Sequence, residues 1–194
     1  ARNTRNYFFI PALLGLGALS GLSHYGVAAN SAAIHQGAMY AAVLLISQMI
    51  MIVGGRVIPM FTASGTGTER IKPARWLNVS LYVASWLSIP MVVLGIYEAA
   101  FRPVAALILV VACLANAARI ASWCRAEIWA VPLVWSLHLG YLFIPFGQGL
   151  LALHFSGFAV PLSAGVHALA VGAMGTMILA MISRVSLGHT GRAL

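Results

Sequence analysis

Residues 167–192 read HALAVGAMGTMILAMISRVSLGHTGR, and they have the length and apolarity of a membrane-spanning helix with a histidine near one end and an arginine near the other. Ala168, Gly172 and Gly175 fall at helical spacing, and such a row of small residues favours close approach of a neighbouring backbone. Histidine is costly in hydrocarbon and usually faces a partner, a cavity or a bound group, which makes His167 a candidate functional residue. A hydrogen bond to a neighbouring helix is the alternative explanation.

The composition of the whole chain is that of a polytopic membrane protein. Hydrophobic residues make up 61% of the 194 residues and charged residues only 7%, whereas about a quarter of the residues of a soluble domain are charged. The net charge of +8 would suggest nucleic acid in a soluble protein. Here it indicates membrane topology and no nucleic-acid partner, because basic residues collect on the cytoplasmic side of a membrane.

Charged residues and turn signals divide the chain into six predicted spans that form one domain over residues 1–194. The predicted fold is therefore an all-α bundle of six transmembrane helices. Ten of the eleven basic residues fall at one face and only Arg102 falls at the other, so both termini are predicted to be cytoplasmic. The predicted spans are 7–28, 32–61, 76–97, 103–123, 130–154 and 160–185.

Four histidines from four predicted helices fall in the outer half of the membrane. Imidazole binds iron and copper, and two histidines from separate helices can hold a haem iron between them. His35 and His167 are the deeper pair and the haem candidates. His24 and His154, nearer the surface, are candidates for a second metal, and the thioether of Met174 suits copper(I). Hydrogen-bonded core histidines and a proton path through a transporter are the alternatives.

The basic residues near the inner boundary have two explanations. Arg56, Arg119 and Arg184 are expected to extend to the lipid headgroups. They could instead hold an anionic group, such as a haem propionate or an anionic substrate, by charge-assisted hydrogen bonds.

The acids exclude one enzyme class. Glu69, Glu98 and Glu127 are the only carboxylates, and all lie in loops or near span ends, so a carboxylate pair for hydrolysis is not expected. Three functions stay open: a haem or metal protein, a transporter for a small anion or a metal ion, and a structural subunit that packs against a cofactor-bearing partner.

Three strings resemble the motifs of the NnrS family of bacterial inner-membrane proteins: SRVSLGHTGR at 183–192, GGRVIPMFT at 54–62 and WSLHLGYLFIP at 135–145. The resemblance implies a protein of the bacterial inner membrane that binds haem, with b-type haem expected, and possible copper. It also implies a role in the response to nitric oxide during denitrification or nitrosative stress. On this resemblance His35, His138 and His167 are the first-choice ligands, and Arg56, Arg184 and His189 match motif positions.

The resemblance also implies that family members are about twice as long as this chain, which looks like their second half. The chain is then a fragment, a half-length relative that dimerises or one subunit of a larger complex, so a second half or a partner subunit is expected. Turnover of nitric oxide is left open, because its reduction consumes protons and no acid lies inside the predicted spans. Sensing, storage or protection fits the residues equally well.

Overall fold

The computed structural model describes residues 7–71 and 74–189, with the backbone alone at residues 188 and 189. In these ranges the chain is helical and has no strand, and six helices are long and apolar enough to cross a membrane. The predicted fold class is confirmed: this is an all-α, multi-pass membrane protein. The side chain of His189 and the residues Arg2, Arg5, Lys72 and Arg192 lie outside the described part of the chain.

The first five spans are single helices, and the sixth has three sections. The spans are α1 (Phe9–Ala28), α2 (Ala32–Thr66), α3 (Arg75–Tyr97), α4 (Arg102–Trp123), α5 (Pro132–Phe155) and, in the sixth, α6 (Leu162–His167), a π-helical segment (Ala168–Gly175) and α7 (Thr176–His189). Short 3₁₀ turns precede α4 and α5.

Residues with positive φ mark three of the chain reversals. Asn30, with φ 52°, separates α1 from α2, and Gly157, with φ 85°, follows α5. Helix α2 continues past Pro59 and beyond the predicted end at 61, because it terminates only where Gly67 adopts φ 67° and its N–H bonds back to the carbonyl of Ala63. We call the end of the bundle that holds Asn30 and Gly157 the histidine end, and the opposite end the arginine end.

Helix α2 is the centre of the bundle, since it packs against α1, α3, α5 and the π-helical segment, while α4 packs between α3 and α5. Helix α1 packs mainly on α2 and is otherwise exposed. Small residues bring helices together at several crossings. A Cβ added to Gly147 or to Gly165 would lie 3.1 Å from the backbone carbonyl oxygen of the other residue, so α5 and α6 touch through their backbones.

The row of small residues predicted for the sixth span is only partly used for packing. Ala168 is buried and Gly172 lies under the ring of Phe143, but a Cβ added to Gly175 would meet nothing within 4 Å. The cause is the π-helical segment that contains all three residues. A π-helix has a wider turn than an α-helix, so residues at spacing of three and four no longer form one straight line.

Candidate functional site

His35 and His24 lie at the histidine end, where α1 meets α2. The Nδ1 atom of His35 lies 2.9 Å from the Ser23 hydroxyl and 3.3 Å from the Ser23 carbonyl oxygen. The backbone of α1 comes unusually close here, since a Cβ added to Gly26 would lie 2.5 Å from the backbone nitrogen of His35. The ring of His35 is half-buried, and the side chain of His24 is exposed.

His154 and His167 lie at the same end of the bundle, on α5 and α6. His154 Nδ1 donates to the carbonyl of Val160 at 2.8 Å, and His167 Nδ1 donates to the carbonyl of Ser163 at 2.7 Å. His154 is half-buried, whereas His167 is exposed and immediately precedes the π-helical segment. Such segments are frequent at functional sites.

His138 lies towards the arginine end of α5 and is 5% exposed. Its Nδ1 donates to the carbonyl of Val134 at 3.0 Å. Its Nε2 is buried and forms no hydrogen bond with the described residues. The backbone carbonyl of Trp123 lies near the ring.

The histidines other than His24 share one local arrangement: His35, His138, His154 and His167. In each, Nδ1 lies within hydrogen-bond distance of a backbone carbonyl oxygen. A carbonyl only accepts, so at His154 and His167 the Nδ1 atom donates and Nε2 is left for another partner. Histidines that bind metals or haem are usually held in this way, with the second nitrogen left for the ligand.

Helix contacts fix the depth of each histidine. Gly147 faces Leu169 and Gly165 faces Leu151. These contacts place His167 beside the part of α5 that lies about eleven residues beyond His138, which is about 16 Å along the helix axis. One iron atom cannot bind both. Gly54 faces Tyr141 and Gly140 faces Met177, which sets the backbone of His35 about ten residues, or about 15 Å, nearer the histidine end than that of His167. The structure thus does not bring the two predicted haem ligands to one depth.

The predicted second metal site also lacks a cluster. In the described ranges, no group of three or more His, Cys, Asp or Glu side chains is placed to hold a metal ion. Met174 is half-buried within the π-helical segment. His24, His154 and Met174 remain predictions as metal ligands.

The prediction that the inner arginines extend to the headgroups is wrong for two of three. Arg56 is exposed, with its guanidinium 5.5 Å from the ring of Phe8. Arg184 is 6% exposed, with its guanidinium carbon 3.8 Å from the Phe61 ring, and Arg119 is 2% exposed. Aromatic rings inside the bundle hold these two cations, so they do not need to reach its surface.

A buried polar chain that the sequence analysis missed extends from Arg119 across α4 and α5. Arg119 Nη1 lies 3.4 Å from the Tyr141 hydroxyl, which donates to Asn116 Oδ1 at 2.7 Å. Asn116 Nδ2 in turn donates to Gln148 Oε1 at 3.1 Å. The signal for it was available: Asn116 and Arg119 fall on one face of an otherwise apolar helix, three residues apart.

The fold defines a class: multi-pass helical membrane proteins, here with His24, His35, His154 and His167 near one end of the helix bundle. A match to the NnrS family model, described as NnrS protein, covers residues 1–194. The chain belongs to this family. Neither the curated proteins nor the solved structures contain a match.

Proposed function

We propose that the chain binds b-type haem through His167 and acts in the response of a bacterium to nitric oxide. Membership of the NnrS family supports the physiological part of this proposal. The observation that carries the chemical part is the geometry of His167, which is exposed and has Nδ1 fixed on the Ser163 carbonyl at 2.7 Å. Its Nε2 lone pair is therefore available to an iron atom.

A single histidine ligand fits the residues better than a pair, because His35 and His138 lie at other depths. His167 alone would hold the iron, and a haem held by one histidine would supply a coordination position for a diatomic gas such as nitric oxide. The residues of this chain would hold and orient the group. The Ser163 carbonyl would fix the ring, and Val171, which is 68% exposed and about one turn further along the span, would supply an apolar surface for the porphyrin.

The exposure of His167 implies that something else covers the far side of such a haem. Lipid, the second half expected for this family or a partner subunit would do so. Copper would be the second metal, with Met174 as the thioether ligand suited to copper(I). We further propose that the membrane is the bacterial inner membrane and that the histidine end faces outward. The exposed basic residues at the opposite end, such as Arg56 and Arg70, support that orientation.

The expected result is that His167→Ala loses haem while His138→Ala keeps it. The purified native protein should have a Soret absorption band and release haem into acidified acetone. In His167→Ala the band should fall about tenfold, because the proximal nitrogen is gone, and imidazole added to the buffer should restore it. Visible spectra at equal protein concentration measure both effects.

Gln36→Ala is the matched control, since Gln36 is an exposed polar residue on α2 next to His35. It should leave the band unchanged. A native protein without extractable haem would contradict the proposal as a whole. A full band in His167→Ala, with loss of the band in His35→Ala instead, would contradict the assignment of the ligand.

A further inference from the structure

Two arginines are buried towards the arginine end of the bundle, and neither forms a salt bridge with a carboxylate of the described residues. Arg119 is 2% exposed and Arg184 is 6% exposed. The three acids of the chain, Glu69, Glu98 and Glu127, are all exposed and lie outside the helices that span the bundle. A buried cation without an opposite charge is strongly unfavourable, and residues of this kind inside a membrane usually mark a functional site.

The contacts of Arg119 with the protein are weak for a buried guanidinium. Its Nη1 lies 3.4 Å from the Met51 carbonyl oxygen and 3.4 Å from the Tyr141 hydroxyl. Both distances exceed those of good charge-assisted hydrogen bonds, which are about 2.7–2.9 Å. Its Nε is buried and has no hydrogen-bond partner among residues 7–71 and 74–189.

A second unpaired donor lies beside the first. The guanidinium carbon of Arg119 lies 5.2 Å from the ring centroid of Trp123, one helical turn further along α4. Trp123 is fully buried, and its Nε1, which can only donate, also has no acceptor in the described part of the chain. The two side chains therefore present a positive charge and two unused N–H groups, Arg119 Nε–H and Trp123 Nε1–H, for which the described residues provide no acceptor.

Helix α2 leaves room for this arrangement. A Cβ added to Gly55 would overlap the guanidinium of Arg119, so the side chain lies directly against the bare backbone of α2. The absence of a side chain at Gly55 allows the cation to remain inside the bundle. The arrangement lies towards the arginine end of α4, at the level of Tyr141, which is about eight residues of α5, or about 12 Å, from the level of His167.

We propose that Arg119 and Trp123 bind an anion that has at least two acceptor oxygens, either a small free oxyanion or the carboxylate of a larger bound group. One oxygen accepts from Arg119 Nε and the other from Trp123 Nε1, and the negative charge compensates the guanidinium. No covalent step is involved.

Thermal unfolding of the purified, detergent-solubilised protein tests this, with sodium formate or sodium nitrite as the probe and sodium chloride keeping the ionic strength constant. A ligand that binds only the folded state raises the unfolding midpoint in a concentration-dependent way. The native protein should show a saturable rise. Arg119→Met should show none, although its midpoint without anion should be close to that of the native protein, because an apolar side chain of similar volume replaces an unpaired charge.

Trp123→Phe is the second variant, which keeps the stacked ring and removes only the N–H. Its apparent Kd for the anion should rise about tenfold or more, the value of a hydrogen bond to a charged group. Arg102→Met is the control, since Arg102 is an exposed arginine at the histidine end that donates to the Gly95 carbonyl at 3.2 Å. Its unfolding midpoint should rise with anion concentration as that of the native protein does.

The source of the anion is distinguished by comparing protein produced without haem, protein loaded with haem, and protein loaded with haem dimethyl ester. A free oxyanion shifts the midpoint equally in all three. A haem carboxylate removes the shift in the haem-loaded sample alone. No shift in any sample, or a full shift in both Arg119→Met and Trp123→Phe, overturns the proposal. His167→Ala should leave the shift unchanged, which separates this result from the fate of the haem proposal.

Discussion

Replacing Gly26 with alanine should push α1 away from α2 and lower the free energy of unfolding by about 2 kcal/mol or more. The added Cβ would lie 2.5 Å from the backbone nitrogen of His35 and 3.0 Å from its Cα. These are backbone atoms in the first turns of α2, so no flexible side chain can move aside. Since α1 packs mainly on α2, loss of this one contact affects the whole helix.

Gly21→Ala is the matched control on the same helix, because a Cβ added to Gly21 would meet nothing within 4 Å. It should leave stability unchanged or raise it slightly, since alanine is the better helix former. Thermal unfolding in detergent measures both variants. The Gly26 variant should also weaken the contact between His35 and Ser23, which the His35 ring resonances would report. Equal midpoints for the two variants would show that the close approach at Gly26 does not hold α1 in place.

The fold was largely predictable because the bilayer imposes it. A chain with 7% charged residues has few places to leave the membrane, and the backbone must satisfy its own hydrogen bonds inside it. Uncharged runs such as 7–28 therefore form helices, in which every backbone hydrogen bond is made within the segment. Turn signals at Asn30 and Gly157 predicted the remaining boundaries between spans, and both residues have positive φ in the structure.

The interior of the bundle was much less predictable, because hydropathy does not say which way a side chain points. Arg119 and Arg56 look alike in sequence, yet one is 2% exposed and the other lies on the surface. The difference comes from packing: Gly55 gives the Arg119 head group space, and Trp123 gives it a ring. The sequence could have indicated this through the spacing of Arg119 and Trp123, which places them on one helix face.

Depth along the helices was predictable only as a division into two ends. The grouping of His24, His35, His154 and His167 at one end follows from their positions near helix ends. Their exact depths depend on the axial position of α6 relative to α5. The contact between Gly165 and Leu151 fixes that position. The π-helical segment after His167 changes the register again. Neither feature has a sequence signature strong enough to place two imidazoles opposite one another.

Tyr141→Phe should lower the free energy of unfolding by about 1–3 kcal/mol, the cost of leaving buried polar groups unpaired. Tyr141 is fully buried, and its hydroxyl donates to Asn116 Oδ1 at 2.7 Å and lies 3.4 Å from Arg119 Nη1. Phenylalanine keeps the ring against Trp123, at a centroid distance of 5.0 Å, so packing is preserved. The decrease in the free energy of unfolding therefore measures the contribution of the hydroxyl group alone, without that of the ring.

Tyr82→Phe is the matched control, because Tyr82 also has its ring near Arg119, at 5.8 Å, but is only half-buried. It should cost less than about 0.5 kcal/mol, as most substitutions away from buried polar networks do. Reversible unfolding in mixed micelles measures the two variants side by side. If both cost the same, the rings alone hold Arg119 inside the bundle. If Tyr141→Phe alone is costly, the polar chain through Asn116 contributes to keeping a charged residue where the bilayer would otherwise exclude it.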